Sequence, residues 1–176
     1  MASWFTVYCL RPVRHVTPDA LIAALESADL ATIAEGFGIE DEAAVEQARS
    51  ALQVTPTAGD LGERFEVYYR PAKHRPLIVY VWANTVRVQQ ELAEAREEYL
   101  AGREGPEVTQ IRTILSGVVE VAAIELGSGQ LEDMGLVIAG QIAEYLTDVG
   151  GGLIRDSSDE WWGLRQGVPK RLLGRA

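Results

Sequence analysis

The sequence predicts one α+β domain, residues 1–166, with about five to six helices largely on one face of a mainly antiparallel sheet of about five to six strands. The strand-like segments alternate apolar and polar residues, which is typical of strands with one covered face. Between them lie segments whose apolar residues recur with the helical period of 3.6. The chain has 176 residues, of which 47% are hydrophobic, enough to form the core of one domain.

The first predicted elements are one strand and three short helices. Residues 3–11 are rich in aromatic and β-branched side chains and are predicted to form the strand. Thr17 and Pro18 have the pattern of an N-cap followed by proline at the first helical position. Asp29 is the predicted cap of a second helix, and Asp41 is predicted to begin a third.

The middle of the chain predicts a loop, a hairpin and a long helix. Residues 55–62 have the composition of a loop. Two alternating segments, 65–69 and 77–82, predict an antiparallel hairpin with a loop of six or seven residues. The helix that follows extends to about Leu100, and its pair Arg87 and Glu91 is expected on the outside.

The last third predicts two helices, three strands and a tail. A helix starts at Pro106, a strand covers about 118–126, and a second helix covers 129–147. A strand, a polar turn at 156–159 and a returning strand come next. Residues 167–176 are basic and without a clear pattern, so they are expected to form a C-terminal tail.

The charge pattern argues against nucleic acid or an anionic membrane as a partner, and it either attracts a basic protein or simply keeps the chain soluble. The net charge is −10, and residues 18–69 hold eleven acids and two bases, a distribution that repels phosphates. The longest apolar runs, such as 77–83, are far shorter than the roughly 18 residues of a membrane span. Cys9 is the only cysteine, so neither an intrachain disulfide nor a cysteine cluster for a metal can form. We expect a cytoplasmic protein without a cofactor.

Two glutamates are the candidates for a catalytic or cation-binding pair. The strand period places Glu125 among apolar side chains, and the helical period does the same for Glu132, whereas Asp133 is expected to face water. Two close carboxylates can act as acid and base or hold a cation. The alternative is a structural corner, in which Arg112 or Arg155 pairs with a buried acid.

Two stretches of the sequence, 5–15 and 65–75, echo each other. Each reads Phe-x-Val-Tyr, then Arg-Pro and a base, and each contains one of the two histidines, His15 and His74. If the two strands are neighbours, their loops form a basic pocket for a phosphate or a carboxylate. Alternatively, proline and the bases simply end each strand and protect an edge.

The adjacent residues Trp161 and Trp162 are candidates for partner contact. On a strand their rings point to opposite faces, so one ring enters the core and the other is half exposed. An exposed tryptophan is a favoured anchor in protein interfaces. It can equally cover the end of a helix, or lie in the interface of a homodimer.

Three patches, AEGFGIEDE (34–42), ELGSGQLEDMG (125–135) and GGLIRDSSDEWW (151–162), carry a resemblance to a known class. They resemble small, acidic bacterial proteins of the kind encoded as immunity proteins beside polymorphic toxins. The resemblance implies a cytoplasmic inhibitor that binds one protein toxin and performs no reaction.

An acidic inhibitor gains association rate from long-range attraction to a basic toxin. On this hypothesis the partner-binding acids are Asp29, Glu35, Glu40, Asp41, Glu42 and Glu46. One alternative is a small enzyme or anion-binding protein that uses Glu125, Glu132, His15 and His74. A second alternative is a structural homo-oligomer.

Overall fold

The computed structural model describes residues 3–58, 60–70, 75–83, 85–165 and 167–175, and it describes only the backbone of 57–58 and 60–62. Within these residues the fold is α+β, with six α-helices and one sheet of eight antiparallel strands.

The strands are β1 (Ser3–Cys9), β2 (Gln53–Ala58), β3 (Asp60–Tyr68), β4 (Leu77–Trp82), β5 (Glu120–Leu126), β6 (Gly152–Arg155), β7 (Trp161–Arg165) and β8 (Val168–Leu173). The helices are α1 (Pro18–Ser27), α2 (Leu30–Gly36), α3 (Glu42–Ser50), α4 (Thr85–Glu94), α5 (Pro106–Leu115) and α6 (Met134–Gly150). A π-helical turn, Ala95–Tyr99, continues α4, and a 3₁₀ turn, Ser128–Gln130, precedes α6.

The strand order is β2-β3-β4-β5-β1-β6-β7-β8, and every neighbouring pair is antiparallel. The prediction of five to six strands is therefore wrong. The two strands it missed, β2 and β8, form the two edges of the sheet. Residues 55–62, predicted as a loop, contribute to β2 and β3, and residues 168–173 of the expected tail form β8. Edge strands tolerate proline and polar side chains, as at Pro56 and Pro169, so they lack the pattern of an inner strand.

Helices lie on both faces of the sheet, so the prediction that they largely cover one face is also wrong. A first hydrophobic core joins α1, α2, α3 and α6 to one face, and it includes Phe5, Val7 and Cys9 of β1. A second core joins α4, the π-helical turn and α5 to the other face, and it includes Tyr8. Burial raises the pKa of the Cys9 thiol to about 12. The alternation along β1 thus separates two buried faces rather than core from solvent.

Helix α6 begins later than its sequence pattern predicted. Residues 128–130 form the 3₁₀ turn, and Asp133 is the N-cap, with its carboxylate accepting a hydrogen bond from the amide of Gly135. The predicted start at residue 129 continued the helical period through a segment that is not α-helical. Glu132 consequently lies outside the helix.

The predicted caps Thr17 and Asp29 are confirmed, and Asp41, predicted to begin the third helix, is its N-cap. Thr17 accepts a hydrogen bond from the amide of Ala20, and Asp29 accepts one from Thr32. Asp41 accepts hydrogen bonds from two amides in the first turn of α3.

Across the described ranges, no helix is both long and apolar enough to cross a membrane.

Gly152 allows β6 to approach β1, because a Cβ atom at this position would overlap the Tyr8 carbonyl oxygen. We predict that Gly152→Ala lowers the free energy of unfolding by about 3 kcal/mol, since backbone must move to make room. Gly140→Ala is the matched control, because a Cβ atom there meets no neighbour and alanine favours the helix by about 1 kcal/mol. Urea denaturation measures both, and equal stability of the two variants would contradict the prediction.

Candidate functional site

Six exposed carboxylates surround helices α2 and α3, and we call them the acidic surface. They are the side chains predicted to bind a partner: Asp29, Glu35, Glu40, Asp41, Glu42 and Glu46. Two of them, Asp29 and Asp41, also cap helices, so they contribute to stability as well as charge. Glu46 lies 3.9 Å from the guanidinium of Arg49, at the spacing of a weak surface ion pair.

An apolar groove lies next to the acidic surface. It has a volume of about 480 Å³ between α2, α6 and the β6–β7 connection, and its lining includes Ile33, Leu136, Trp162 and Pro169. Phe37, at the end of α2, also lines the groove and is 52% exposed. Glu144 on the groove wall has a raised pKa because it is partly buried. An acidic surface and an apolar groove therefore adjoin at α2.

The two adjacent tryptophans have different environments. Trp161 is fully buried and stacks on Tyr8 with ring centroids 5.4 Å apart, so it is not accessible to a partner. Trp162 is half-buried in the apolar groove, and its indole N–H donates a hydrogen bond to Asp156 at 2.8 Å. The carboxylate of Asp156 also accepts hydrogen bonds from the amides of Ser158 and Glu160, which confirms the predicted turn. Of the pair, Trp162 is the one that can contact a partner.

Glu125 and Glu132 make separate contacts. Glu125 is half-buried on β5, opposite Trp4 of β1, and forms an ion pair with Arg75. Glu132 is exposed and lines a different cavity, beside Tyr69 and Arg70. The expectation that Glu132 points into the apolar face was wrong, because it precedes α6. Within the described ranges, no three His, Cys, Asp or Glu side chains converge as metal ligands.

Asp133, which was expected to face water, is the acid that organises this corner. Its carboxylate caps α6, forms an ion pair with Arg70 and accepts a hydrogen bond from the Tyr69 hydroxyl at 3.0 Å. Gln130 donates to the same hydroxyl. The arginines that brace the corner are Arg70 and Arg75, not the predicted Arg112 and Arg155. The ion pairs at this corner thus belong to Glu125, as the structural alternative expected of a buried acid, and to Asp133, whereas Glu132 is exposed.

The two strands that precede the histidine-containing loops are not neighbours, so the condition for a shared basic pocket is not met. Strand β1 is separated from β3 by β4 and β5, and the antiparallel order makes β1 and β3 run in opposite directions. The C-terminal end of β1 is followed by the exposed His15, at the opposite end of the sheet from the C-terminal end of β3. His74 lies outside the described residues.

A polar cleft of about 450 Å³ opens on the sheet face that carries the second core. Its floor is a row of paired residues across four strands: Tyr80 of β4, Ala123 of β5, Thr6 of β1 and Arg155 of β6. The small side chains of Ala123 and Thr6 leave a depression between the larger ends of the row. The helices cover the next row, which includes Tyr8, so the cleft lies at the margin of the helical layer.

Arg155 is the buried cation of the cleft, with 6% of its surface exposed. Its guanidinium pairs with Asp159 at 2.9 Å, donates to the Thr6 hydroxyl at 3.4 Å and lies 3.7 Å from the centre of the Tyr99 ring. The Tyr8 hydroxyl lies near Arg155 without a well-formed hydrogen bond, and burial raises the pKa of Tyr8 to about 12. A buried arginine with these partners is held in one orientation.

The opposite wall of the cleft comes from α4 and the π-helical turn. Glu91 is 7% exposed and pairs with Arg87 at 2.8 Å, so the predicted pair exists but its acid is buried. Arg87 also lies 4.4 Å from the centre of the Trp82 ring. Glu94 accepts a hydrogen bond from the Tyr99 hydroxyl at 3.2 Å across the π-helical turn. Turns of this kind are frequent at functional sites.

Sequence reasoning missed the cleft because its residues come from distant segments. Arg155 stands just before a recognisable turn, but only the register of β1 with β6 places it beside Thr6. The five-residue π-helical turn also departs from the 3.6 period by which helix faces were assigned.

Comparison with models of protein families, with curated proteins and with solved structures finds no significant match to the chain.

Because Asp133 has several partners and Glu132 is exposed, we predict that substitutions at these adjacent acids change the free energy of unfolding by different amounts. Asp133→Ala should lower the free energy of unfolding by about 2 kcal/mol, because it removes a helix cap, an ion pair and the acceptor of a hydroxyl. Glu132→Gln should change it by less than about 0.5 kcal/mol, as is usual for exposed sites. Chemical denaturation of both variants checks this. If Glu132→Gln costs as much as Asp133→Ala, the assignment of the structural acid is wrong.

Proposed function

We propose that this chain is a non-enzymatic binding protein of the immunity type, which neutralises a basic protein toxin by direct contact. The observation that carries the proposal is the acidic surface contiguous with an apolar groove and the exposed ring of Phe37. The sequence resemblance to immunity proteins points to the same kind of partner. Occlusion of the toxin requires no catalytic group in the inhibitor.

The charges of the acidic surface are suited to rapid capture. Residues 18–50 hold eight acids and one base, Arg49, so most of the negative charge there is uncompensated by the segment itself. Such a field attracts a positively charged partner over about the Debye length, 8–10 Å at physiological salt, and raises the association rate. This contribution weakens as salt is added.

The apolar groove is suited to holding the partner once it has arrived. Phe37 and Trp162 both line it, and aromatic side chains are the commonest energetic anchors in interfaces. The carboxylate of Glu144 on the groove wall can pair with a lysine or arginine beside an apolar segment of the partner. In this arrangement the acids set the association rate, and the groove sets the dissociation rate.

The first experiment is a pull-down from a lysate of the organism that encodes this protein, at low salt and with identification by mass spectrometry. We expect to recover one basic protein, and we expect raised salt to release it. Co-expression of the two proteins should suppress the toxicity of that partner. Recovery of no specific partner, or a partner whose toxicity is unchanged, would count against the proposal. Light scattering on the same sample tests the homo-oligomer alternative, which requires a mass above 19.2 kDa.

The triple variant Glu35→Gln, Glu40→Gln, Glu42→Gln tests whether the acidic surface accelerates association with that partner. It spares the capping acids, so the fold should be retained, and it should slow association roughly tenfold and flatten its salt dependence. The control, Glu97→Gln, Glu98→Gln, Glu104→Gln, removes three exposed acids from the other side of the sheet. Stopped-flow kinetics measure both, and equal slowing by the two triples would remove the acidic surface as the binding site.

The variant Phe37→Ser tests whether the apolar groove holds the bound partner. We expect it to raise the dissociation constant roughly tenfold, mainly through faster dissociation, because the ring is an anchor and carries no charge. Val119→Ser is the control, since Val119 is also exposed but lies outside the groove. Surface plasmon resonance separates the two rate constants. An unchanged dissociation rate for Phe37→Ser would exclude the groove from the interface.

A further inference from the structure

The polar cleft on the other face of the sheet has features that partner capture does not use. Aromatic side chains follow one another along the cleft from Trp4 through Tyr80 to Trp82, with ring centroids 6.1 Å apart at each step. Trp4 is 36% exposed, although it lies on an inner strand. The volume of about 450 Å³ falls within the range of small-molecule sites. The cleft is therefore large enough for a small ligand and has ring faces for it to contact.

The charges in the cleft do not balance. Each of its arginines is paired with a carboxylate, Arg87 with Glu91 and Arg155 with Asp159. The remaining acid is Glu94, whose partner in the described part of the chain is the neutral hydroxyl of Tyr99. The lining therefore carries three acids and two bases. A ligand with one positive charge would neutralise the net charge of the lining.

The aromatic rings have the matching chemistry. Both cleft arginines already lie against rings, with the guanidinium carbon 4.4 Å from the centre of Trp82 and 3.7 Å from that of Tyr99. Flat cations thus stack in this cleft in the protein's own structure. The rings of Trp4 and Tyr80 are inclined at 42°, both line the cleft, and neither is the ring contacted by Arg87 or Arg155. They provide faces for one more flat cation.

We propose that the cleft binds a small organic monocation with a flat charged group, of the amidinium or guanidinium type. The cation stacks against Trp4 and Tyr80, and its N–H groups donate to the carboxylate of Glu94. Repulsion between acids supports this assignment: burial raises the pKa of Glu91, Arg87 opposes the rise, and Glu94 adds to it. A bound cation relieves that repulsion. This binding is independent of the acidic surface, which lies on the other side of the sheet.

Three probes of similar size and shape test the sign of the charge: benzamidinium, benzamide and benzoate. The four indole N–H signals in a proton–nitrogen correlation spectrum, assigned by single Trp→Phe variants, report the location of binding. Trp4 and Trp82 line the cleft, Trp162 lines the apolar groove and Trp161 is in the core. We expect saturable shifts of Trp4 and Trp82 with benzamidinium, roughly tenfold weaker binding of benzamide and the weakest binding of benzoate.

Two variants with the same net charge complete the test. Glu94→Gln should weaken benzamidinium binding roughly fivefold, whereas Glu97→Gln, which changes an exposed acid of the following π-helical turn, should not change it. If both variants weaken binding equally, binding depends on the total negative charge of the protein and not on Glu94, and the proposal is overturned. Tighter binding of benzoate, shifts confined to Trp162, or no saturable shift of Trp4 and Trp82 would overturn it as well. Correlation spectra of the free variants confirm that each is folded.

Discussion

Both hydrophobic cores depend on strand β1, because it is buried on its two faces and paired on its two edges. Phe5, Val7 and Cys9 enter the core beneath α6, and Tyr8 enters the core beneath α4 and α5. Strand β5 pairs with β1 along its whole length, β6 pairs with Thr6 through Cys9, and the close approach at Gly152 fixes the second pairing. A slip of one residue in β1 would exchange the contents of the two cores. The positions of the cleft and the groove therefore follow from the register of this one strand.

The cleft and the groove open on opposite faces of the sheet, and the β6–β7 connection reaches both. Ser157 lines each of them, Asp156 holds the indole of Trp162 on the groove side, and Asp159 holds Arg155 on the cleft side. The backbone of Asp159 has a positive φ of 61°, which few residues adopt and which aspartate tolerates better than most. This short turn is thus the structural link between the two proposed binding regions.

The local elements of the fold could be predicted from the sequence, but their assembly could not. The caps Thr17 and Asp41 act on amides within three residues, so the local pattern contains all the information they need. The edge strands β2 and β8 contain proline and depend on a neighbour for their conformation, so no period revealed them. The exposure of the six acids of the acidic surface could be predicted, because charged side chains are rarely buried. The cleft depends on pairing between four distant strands, and sequence reasoning gave no indication of it.

The uneven distribution of charge between the two helical layers has a physical consequence for the whole molecule. Residues 18–50, which form α1–α3, hold eight acids and one base, whereas residues 85–115, which form α4 and α5, hold six acids and four bases. The two layers lie on opposite sides of the sheet, so the protein has a permanent electric dipole moment with its negative end at α1–α3. A positively charged body exerts a torque on such a dipole before any contact is made. The protein is thus turned so that α1–α3 lead during its approach, and rotation as well as attraction reduces the search for the correct orientation.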